Sequence, residues 1–441
     1  MPASLLDSRI YRDLLHDPDV AQLFGDGAEV RAMLLVEGAL AKAQGGLGLI
    51  PETAAAAIHR ASLEATVDPD QLSAGAGKSA VPVPALVDAF RAAIGAPDHA
   101  EWVHWGATSQ DIVDTALALR LRQALAIAEG RLTQVLAALA RLARAHADLP
   151  MAGRTYGQAA APVTFGAVAA SWGRPLVSAR AELDALRPRV LRVSLAGAAG
   201  TLSAMGDRGP EVRAALAKAL DLADPGAPWH AERDGIAALA HWLSRLLAGL
   251  GRIGEDLVLL TSSEVGEVRL GATGASSTMP QKQNPVAPSL LVALARAGAG
   301  LAGPLTLAPL HRQQRDATAW VVEWLTLPQL VLMTTRALTV ATDTLSALSP
   351  VPGRMAENLD GPLGLIHAEA ISFALAGRMP RPEAQAATKD LVAEATGTGT
   401  PLPRLAADRF PEVDFQSVLA PDRIAGTAPA DARAFADAAG G

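Results

Sequence analysis

Residues 274–285 read Gly274-Ala275-Ser276-Ser277-Thr278-Met279-Pro280-Gln281-Lys282-Gln283-Asn284-Pro285, and they separate two apolar runs of helical spacing, 253–268 and 289–301. Glycine and proline forbid a continuous helix across this segment, so we expect a loop. Lys282 is its only ionisable side chain, and hydroxyls and amides surround it. That set of groups suits the binding of a carboxylate and of negative charge that develops on it. Composition alone also allows a plain connection without chemistry.

Length and composition favour a large, nearly all-helical protein. The chain has 441 residues, enough for two or three domains or for one long bundle with smaller ends. Half of the residues are hydrophobic and only 4% are aromatic. A core dominated by alanine and leucine favours helices over sheets of β-branched and aromatic residues. We predict an all-α fold with a helical N-terminal domain (1–110), a central long-helix bundle (111–350) and a helical C-terminal domain (351–441).

Charge and targeting signals exclude several classes of partner. The net charge of −7 comes without a block of like charges, whereas a nucleic-acid surface needs a basic stripe. The first residues lack the pattern of a secretory signal. The most apolar window, 290–310, is interrupted by Arg296, Pro304 and Pro309, which argues against a membrane span. The sequence therefore predicts a cytoplasmic protein that binds neither nucleic acid nor membrane.

Metal and cofactor sites are not indicated. The chain has no cysteine, and its nine histidines include no His-x-x-x-His pair. The glycine clusters do not follow predicted strands, so they match neither a phosphate loop nor a dinucleotide fingerprint. We predict no metal and no cofactor.

The middle of the chain is predicted to be a bundle of long helices. From residue 111 to about 146, apolar residues recur in alternating steps of four and three, as in the seam of a long bundle helix. The seam residues are Leu121, Leu125, Ala128, Leu132, Val135, Leu139 and Leu142. Further apolar runs supply partners of similar length, and none of the middle part alternates as a strand does.

A polar segment precedes the first long helix. Thr108 and Ser109 are good N-cap residues, and Gln110 and Asp111 follow in the first turn. Free backbone N–H groups and the positive end of the helix dipole make such a start a candidate carboxylate site. The alternative is an ordinary helix cap.

Three further polar positions are candidates for substrate contact. Arg154, Thr155 and Gln158, between two predicted long helices, are able to bind a carboxylate, although a satisfied interhelical turn explains them as well. His230, at a helix start, is either an acid or a capping residue. Arg315 is either a carboxylate ligand or part of a surface salt bridge with Asp316 or Glu323.

The run from Ser276 to Pro285 resembles the signature loop of the fumarase/aspartase superfamily, Gly-Ser-Ser-x-Met-Pro-x-Lys-x-Asn-Pro, and Ala275 replaces only its leading glycine. This resemblance implies an all-helical homotetramer that acts on a small polycarboxylate, with active sites shared between subunits. It implies that Ser276 is the catalytic base and that Lys282 and Asn284 are catalytic residues of the same loop.

Within the superfamily the segment from Trp102 to Asp111 resembles the lactonizing branch, which acts on 3-carboxy-cis,cis-muconate, and implies substrate contacts for Thr108, Ser109 and Gln110. Residues 153–158 resemble a second superfamily region, but Tyr156 stands where that region usually carries a histidine or tryptophan. Ala159 stands where muconate-type members often carry a histidine. Tyr156 and His230 are therefore only possible acid/base groups. A C–N lyase like adenylosuccinate lyase and a scaffold protein without activity remain the alternatives.

Overall fold

A computed structural model describes residues 4–271, 274–275, 278–279 and 282–440 of the chain. Helices dominate it, which confirms the predicted all-α fold class. Seven helices precede the first long one: α1 Arg12–Leu15, α2 Pro18–Ala21, α3 Asp26–Gly46, α4 Glu52–Glu64, α5 Ser73–Ser79, α6 Val83–Ile94 and α7 Pro97–Ala100. Short 3-10 helices lie at Gln22–Phe24 and Pro69–Leu72.

The middle of the chain contains five long helices and a shorter one. They are α8 Ser109–Ala145, α9 Phe165–Val190, α10 Gly209–Leu220, α11 Asp234–Leu260, α12 Val286–Leu305 and α13 Ala317–Ala347, with a 3-10 helix at Ser203–Arg208. The predicted seam of α8 is buried, because each of its seven side chains is at most 4% exposed. The heptad spacing therefore identified the face of α8 that the chain covers.

Strands do occur in the middle of the chain, although none of it alternates in sequence as a strand does. Strands β1 (Pro150–Thr155) and β2 (Gln158–Thr164) form an antiparallel hairpin. Tyr156 and Gly157 alone connect them, with φ of +51° and +76°, the signs of a type I′ turn. Because β2 is built largely from alanine, it lacks the alternation of apolar and polar residues by which strands are detected.

Two further strand pairs are short. The remaining strands are β3 Val268–Arg269, β4 Gly274–Ala275, β5 Gln283–Asn284 and β6 Ser349–Pro350. β3 pairs with β6 and β4 with β5, both antiparallel. The β4–β5 pair brings the two ends of the predicted loop together, since Gly274 lies opposite Asn284.

The C-terminal part is a set of short helices with its own apolar cluster. The helices are α14 Pro352–Asp360, α15 Ala368–Ala376, α16 Arg381–Thr398, α17 Leu402–Arg409, α18 Phe415–Val418, α19 Pro421–Ile424 and α20 Ala428–Gly440, with a 3-10 helix at Leu365–His367. Ile371, Leu375, Leu391 and Leu402 are fully buried in the cluster, with Phe415 at its edge.

The chain divides into two compact units. Unit 1 comprises Met1–Arg131, Ala179–Ala248 and Leu294–Ala337, and unit 2 comprises Leu132–Ser178, Gly249–Ala293 and Leu338–Gly441. Helices α8, α9, α11, α12 and α13 each contribute residues to both units. Each unit combines several separate sequence segments, because the long helices contribute residues to both units. The predicted boundaries near residues 111 and 351 stay a prediction.

One described helix, α12, is long and apolar enough to cross a membrane, and 33% of its most apolar window is buried. Core helices of water-soluble proteins have the same length and composition.

Candidate active site

The start of α8 is capped by the helix's own third residue. Thr108 precedes the helix, and its backbone N–H donates to Asp111 Oδ2 over 3.0 Å. This is the returning half of a capping box, in which a first-turn acid satisfies the N–H of the residue before the helix. Thr108 and Ser109 are half-buried. The predicted helix start is confirmed, and their contact with substrate stays a prediction.

Asp111 is the centre of this arrangement, although the sequence interpretation gave it only a place in the first turn. Its carboxylate is fully buried and accepts hydrogen bonds from the backbone N–H groups of Ala196 (2.9 Å) and Gly197 (3.0 Å). His230 Nε2 lies 2.7 Å from Asp111 Oδ1. The positive end of α8 thus holds an internal carboxylate, which the segment around residue 196 helps to enclose.

Gln110 and His230 lie inside unit 1. His230 is 3% exposed and its backbone oxygen accepts from Gln110 Nε2 over 3.1 Å, while the same amide also donates to Asp114 Oδ2. The Oε1 atom of Gln110 is buried with no hydrogen-bond partner among the described residues. Both side chains therefore help to hold the start of α8, and a role in substrate binding or proton transfer stays a prediction.

A buried ionic cluster lies beside them. Arg233, fully buried, pairs with Asp114 at 2.6 Å and 3.1 Å and with Glu323 at 2.8 Å and 2.5 Å. Trp320 Nε1 donates to Asp114 Oδ1. Burial by itself lowers the pKa of Arg233. The charges of Asp114 and Glu323 outweigh burial, so the pKa of Arg233 lies above its ordinary value. Burial raises the pKa of Glu323, against the opposing charge of Arg233.

Arg315 reaches the same region from the segment before α13. Its Nη2 atom donates to the backbone oxygen of Ala198 over 2.5 Å, and its Nε atom is buried with no partner among the described residues. The carboxylates considered for a surface salt bridge are engaged elsewhere, Asp316 by Arg312 and Glu323 by Arg233. Arg315 therefore contacts Ala198, the neighbour of Gly197, whose N–H binds Asp111. The binding of a substrate carboxylate by Arg315 stays a prediction.

In unit 2 the predicted residues lie on the β1–β2 hairpin. Arg154 forms a bidentate pair with Glu267 at 2.8 Å and 2.6 Å, and Glu267 is fully buried and also accepts from Asn358. A guanidinium held in this way is already paired, which favours a positioning role over direct binding of substrate. Thr155 and Gln158 are exposed at the hairpin end, and Tyr156 at the turn is fully exposed.

A cavity of about 490 Å³ in unit 2 is lined by both strands of the hairpin, α9 and α11. Arg154 and Thr155 line it, together with Arg252 and Asp256, which the sequence interpretation did not single out. Arg252 donates to both oxygens of Ser171, and Asp256 accepts from Trp172 Nε1 over 2.6 Å. These charged groups are therefore fixed by neighbouring helices.

Part of the predicted loop lies among the described residues. Lys282 is exposed and its backbone N–H donates to the oxygen of Met279, and Asn284 is half-buried in β5. Ser276 lies outside the described residues. The roles of Ser276, Lys282 and Asn284 stay predictions.

The chain matches known proteins over most of its length. A family model described as "Lyase" matches residues 17–298. A 3-carboxy-cis,cis-muconate cycloisomerase from Pseudomonas aeruginosa is 42% identical and is aligned over 81% of this chain and 79% of its own. The chain belongs to the fumarase/aspartase superfamily of lyases.

Two other relatives of this lyase are named for different activities. A nitrosuccinate lyase from Streptomyces davaonensis is 36% identical, and the alignment covers 97% of this chain and 94% of that protein. The crystal structure of 3-carboxy-cis,cis-muconate lactonizing enzyme from Pseudomonas putida has a TM-score of 0.93 at 33% identity, covering 98% and 99% of the two chains. The predicted superfamily is confirmed, and the substrate is left to the proposal below.

The lyase also contains an ion pair that the sequence interpretation passed over. His104 Nδ1 lies 2.7 Å from Oε1 of Glu37, a residue of α3 that is 1% exposed. Its sequence signal is one acid within the otherwise apolar run 32–41 of α3, 67 residues from His104. Within the described ranges we find no group of three or more His, Asp or Glu residues able to hold a metal ion. The absence of a metal or cofactor stays a prediction.

Proposed function

We propose that this lyase is a cycloisomerase that converts 3-carboxy-cis,cis-muconate to 4-carboxymuconolactone, a step in the catabolism of protocatechuate, and that it acts in the cytoplasm. The observation that carries the proposal is the 42% identity to the Pseudomonas aeruginosa cycloisomerase over 81% of this chain. The match of residues 102–111 to the lactonizing branch supports it.

The reaction forms one C–O bond and one C–H bond. A substrate carboxylate oxygen adds to one carbon of a double bond, and the electron pair of that double bond moves to the neighbouring carbon, beside another carboxylate. In the proposal Lys282 and Asn284 spread the resulting negative charge onto that carboxylate. Ser276, the base that removes the carbon-bound proton when the lactone opens, is the acid that returns it to the carbon when the lactone closes. Thr108, Ser109 and Arg315 hold the other carboxylates of the substrate.

A C–N lyase that acts on a substituted succinate is the second candidate. It is favoured by the nitrosuccinate lyase, whose alignment covers more of this chain than that of the cycloisomerase. Both reactions pass through a carbanion beside a carboxylate, so the same loop suits either one. An adenylosuccinate lyase-like reaction belongs to the same class.

Turnover distinguishes these candidates directly. We expect the purified protein to consume 3-carboxy-cis,cis-muconate, followed by its ultraviolet absorbance, and to leave nitrosuccinate and adenylosuccinate unchanged. The Ser276→Ala protein is the matched control for uncatalysed loss. Conversion of either succinate alone would replace the cycloisomerase with the C–N lyase, and a folded protein that converts none of the three would favour the inactive scaffold.

We also propose a homotetramer with shared active sites, as the family resemblance implies. The apolar faces of α8 and α11 do not themselves require a partner chain, because Leu121 to Leu142 of the seam and Leu239 to Leu257 along α11 are buried within one chain. Large exposed apolar side chains remain at Leu307, Leu310 and Leu325, which are 62%, 74% and 63% exposed. Light scattering that finds an active monomer would contradict the assembly.

A further inference from the structure

His104 is held in place by a buried carboxylate. Glu37 projects from α3 and contacts His104 Nδ1 over 2.7 Å, while Glu37 Oε2 is buried with no partner among the described residues. The backbone of His104 is left-handed, with φ of +66°, which costs free energy for a residue other than glycine. Strain of this kind is frequent at functional sites.

With Nδ1 bound to Glu37, the imidazole has Nε2 left for a ligand. The His104 side chain is 20% exposed, and the residue lies in the same loop as Thr108, four residues before it. A carboxylate that fixes one ring nitrogen and leaves the other for chemistry is a recurring arrangement for an acid/base histidine.

Two other imidazoles of unit 1 are less suited to exchange protons with a ligand. His230 is 3% exposed and bound to Asp111 through Nε2. Both ring nitrogens of His311 are buried with no partner among the described residues, and burial, then the charge of Arg233, lower its pKa, so that it is neutral at neutral pH.

The charges around His104 favour its protonated form. Burial is the largest single influence and lowers the pKa of His104, but the charge of Glu37 and the hydrogen bond to it, with a further contribution from Asp111, raise the pKa above its ordinary value. Arg91 of α6 opposes them. The imidazolium is thus retained to higher pH than that of an ordinary histidine.

We propose that His104, oriented by Glu37, contacts the heteroatom whose bond to carbon is made or broken, as a hydrogen-bond donor to a carboxylate oxygen or as the acid that protonates a nitrogen leaving group. The inference rests on the proposed function only in assuming lyase chemistry, since it holds for the lactone and for a C–N substrate. It supplies the group that Tyr156 and Ala159 leave open.

Protons and electron pairs are conserved both for the lactone and for a nitrogen leaving group. When the lactone opens, the carbon acid loses its proton to the base, the C–O bond breaks, and its electron pair leaves on the carboxylate oxygen, which accepts a hydrogen bond from the imidazolium. Ring closure is the reverse, and the imidazolium holds that oxygen in position. With a nitrogen leaving group, the Nε2 proton moves to the departing nitrogen, and solvent returns a proton to the imidazole.

The test combines kinetics with a titration. His104→Asn is the suitable variant because asparagine tolerates a left-handed backbone, and it should lower kcat by at least roughly a hundredfold. Glu37→Gln should move the alkaline limb of the kcat profile to lower pH, because the imidazole then loses the carboxylate that keeps it charged. His99→Gln, a nearby histidine change, is the control and should leave kcat unchanged.

An NMR titration of 13C-histidine-labelled protein gives a readout that does not depend on turnover. The His104 signal, identified by its loss in His104→Asn, should titrate above the ordinary histidine value of about 6.5, fall in Glu37→Gln, and rise when 3-carboxy-cis,cis-muconate is added. A signal that ignores both the Glu37→Gln change and the added anion overturns the inference, as does near-normal kcat in His104→Asn. If wild type converts no substrate, the proposed function fails, and the response of His104 to the anion still decides this inference.

Discussion

The start of α8 in unit 1 and the tip of the β1–β2 hairpin in unit 2 carry similar polar motifs that differ in exposure to solvent. At α8, Gln110 and His230 are at most 3% exposed and hydrogen-bond to the protein itself. At the hairpin, Tyr156 is fully exposed, and Thr155 and Gln158 are exposed beside it. The first motif is therefore used mainly to build the fold, whereas the second is available to a ligand or to another copy of the chain.

The contrast is largest for stability. Arg233→Met leaves Asp114 and Glu323 buried without their cation, so we expect the free energy of unfolding to fall by about 3–5 kcal/mol. Arg245→Ala breaks an exposed pair between Arg245 of α11 and Glu182 of α9, and should cost less than about 1 kcal/mol. Urea denaturation of both variants measures the difference, and equal losses would show that the buried cluster does not hold unit 1 together.

Catalysis tests whether the exposed hairpin tip takes part in the chemistry. Ser276→Ala should lower kcat by at least roughly a hundredfold and leave substrate binding nearly intact, because it removes the proposed acid/base hydroxyl. Tyr156→Phe should have a smaller effect. Steady-state kinetics on both variants decides the assignment: near-normal turnover in Ser276→Ala beside an inactive Tyr156→Phe would exchange the two roles.

Arg315 and Lys282 test the binding of substrate by cations outside the two motifs. Replacing either one by alanine should weaken the transition-state complex by about 1.5–3 kcal/mol through loss of a charge-assisted contact, with little change in folding. The ratio kcat/KM for the proposed tricarboxylate measures this loss. If the Arg315→Ala enzyme has unaltered kcat and KM, Arg315 does not bind substrate and only donates its hydrogen bond to Ala198.

The smallest expected effect concerns the turn itself. Tyr156→Asn should raise the free energy of unfolding by about 0.5–1 kcal/mol, because asparagine accepts the left-handed conformation of the first position of a type I′ turn more readily than tyrosine does. If tyrosine is kept there for function, kcat/KM should fall while stability rises. A thermal melt beside a rate measurement tests this, and lower stability would mean that Tyr156 contacts the protein in a way that supports folding.

Helix periodicity made most of the fold predictable, because burial of one face imposes a spacing that is visible in the sequence. The seam from Leu121 to Leu142 was identified in this way, and the cap at Thr108 was found from residue type alone. The hairpin was missed because a two-residue Tyr-Gly turn and an alanine-rich strand leave no such pattern.

The site was harder to predict because its contacts join distant parts of the chain. Nothing near Arg154 in the sequence indicates that Glu267, 113 residues away, occupies its guanidinium. Glu37 of α3 and His104 of the loop before α8 are likewise far apart in the sequence. Residue type indicates which groups are able to bind a carboxylate, but only the fold decides which of them the protein has already used.

The carboxylate of Asp111 lowers the entropic cost of binding a ligand at the start of α8. The backbone N–H groups of Thr108, Ala196 and Gly197 already converge on an anion, so the two segments that carry them are ordered before any substrate arrives. Binding to a surface of this kind has little conformational entropy left to lose. The start of α8 is therefore preorganised, because the carboxylate that holds these N–H groups together is a side chain of the protein itself.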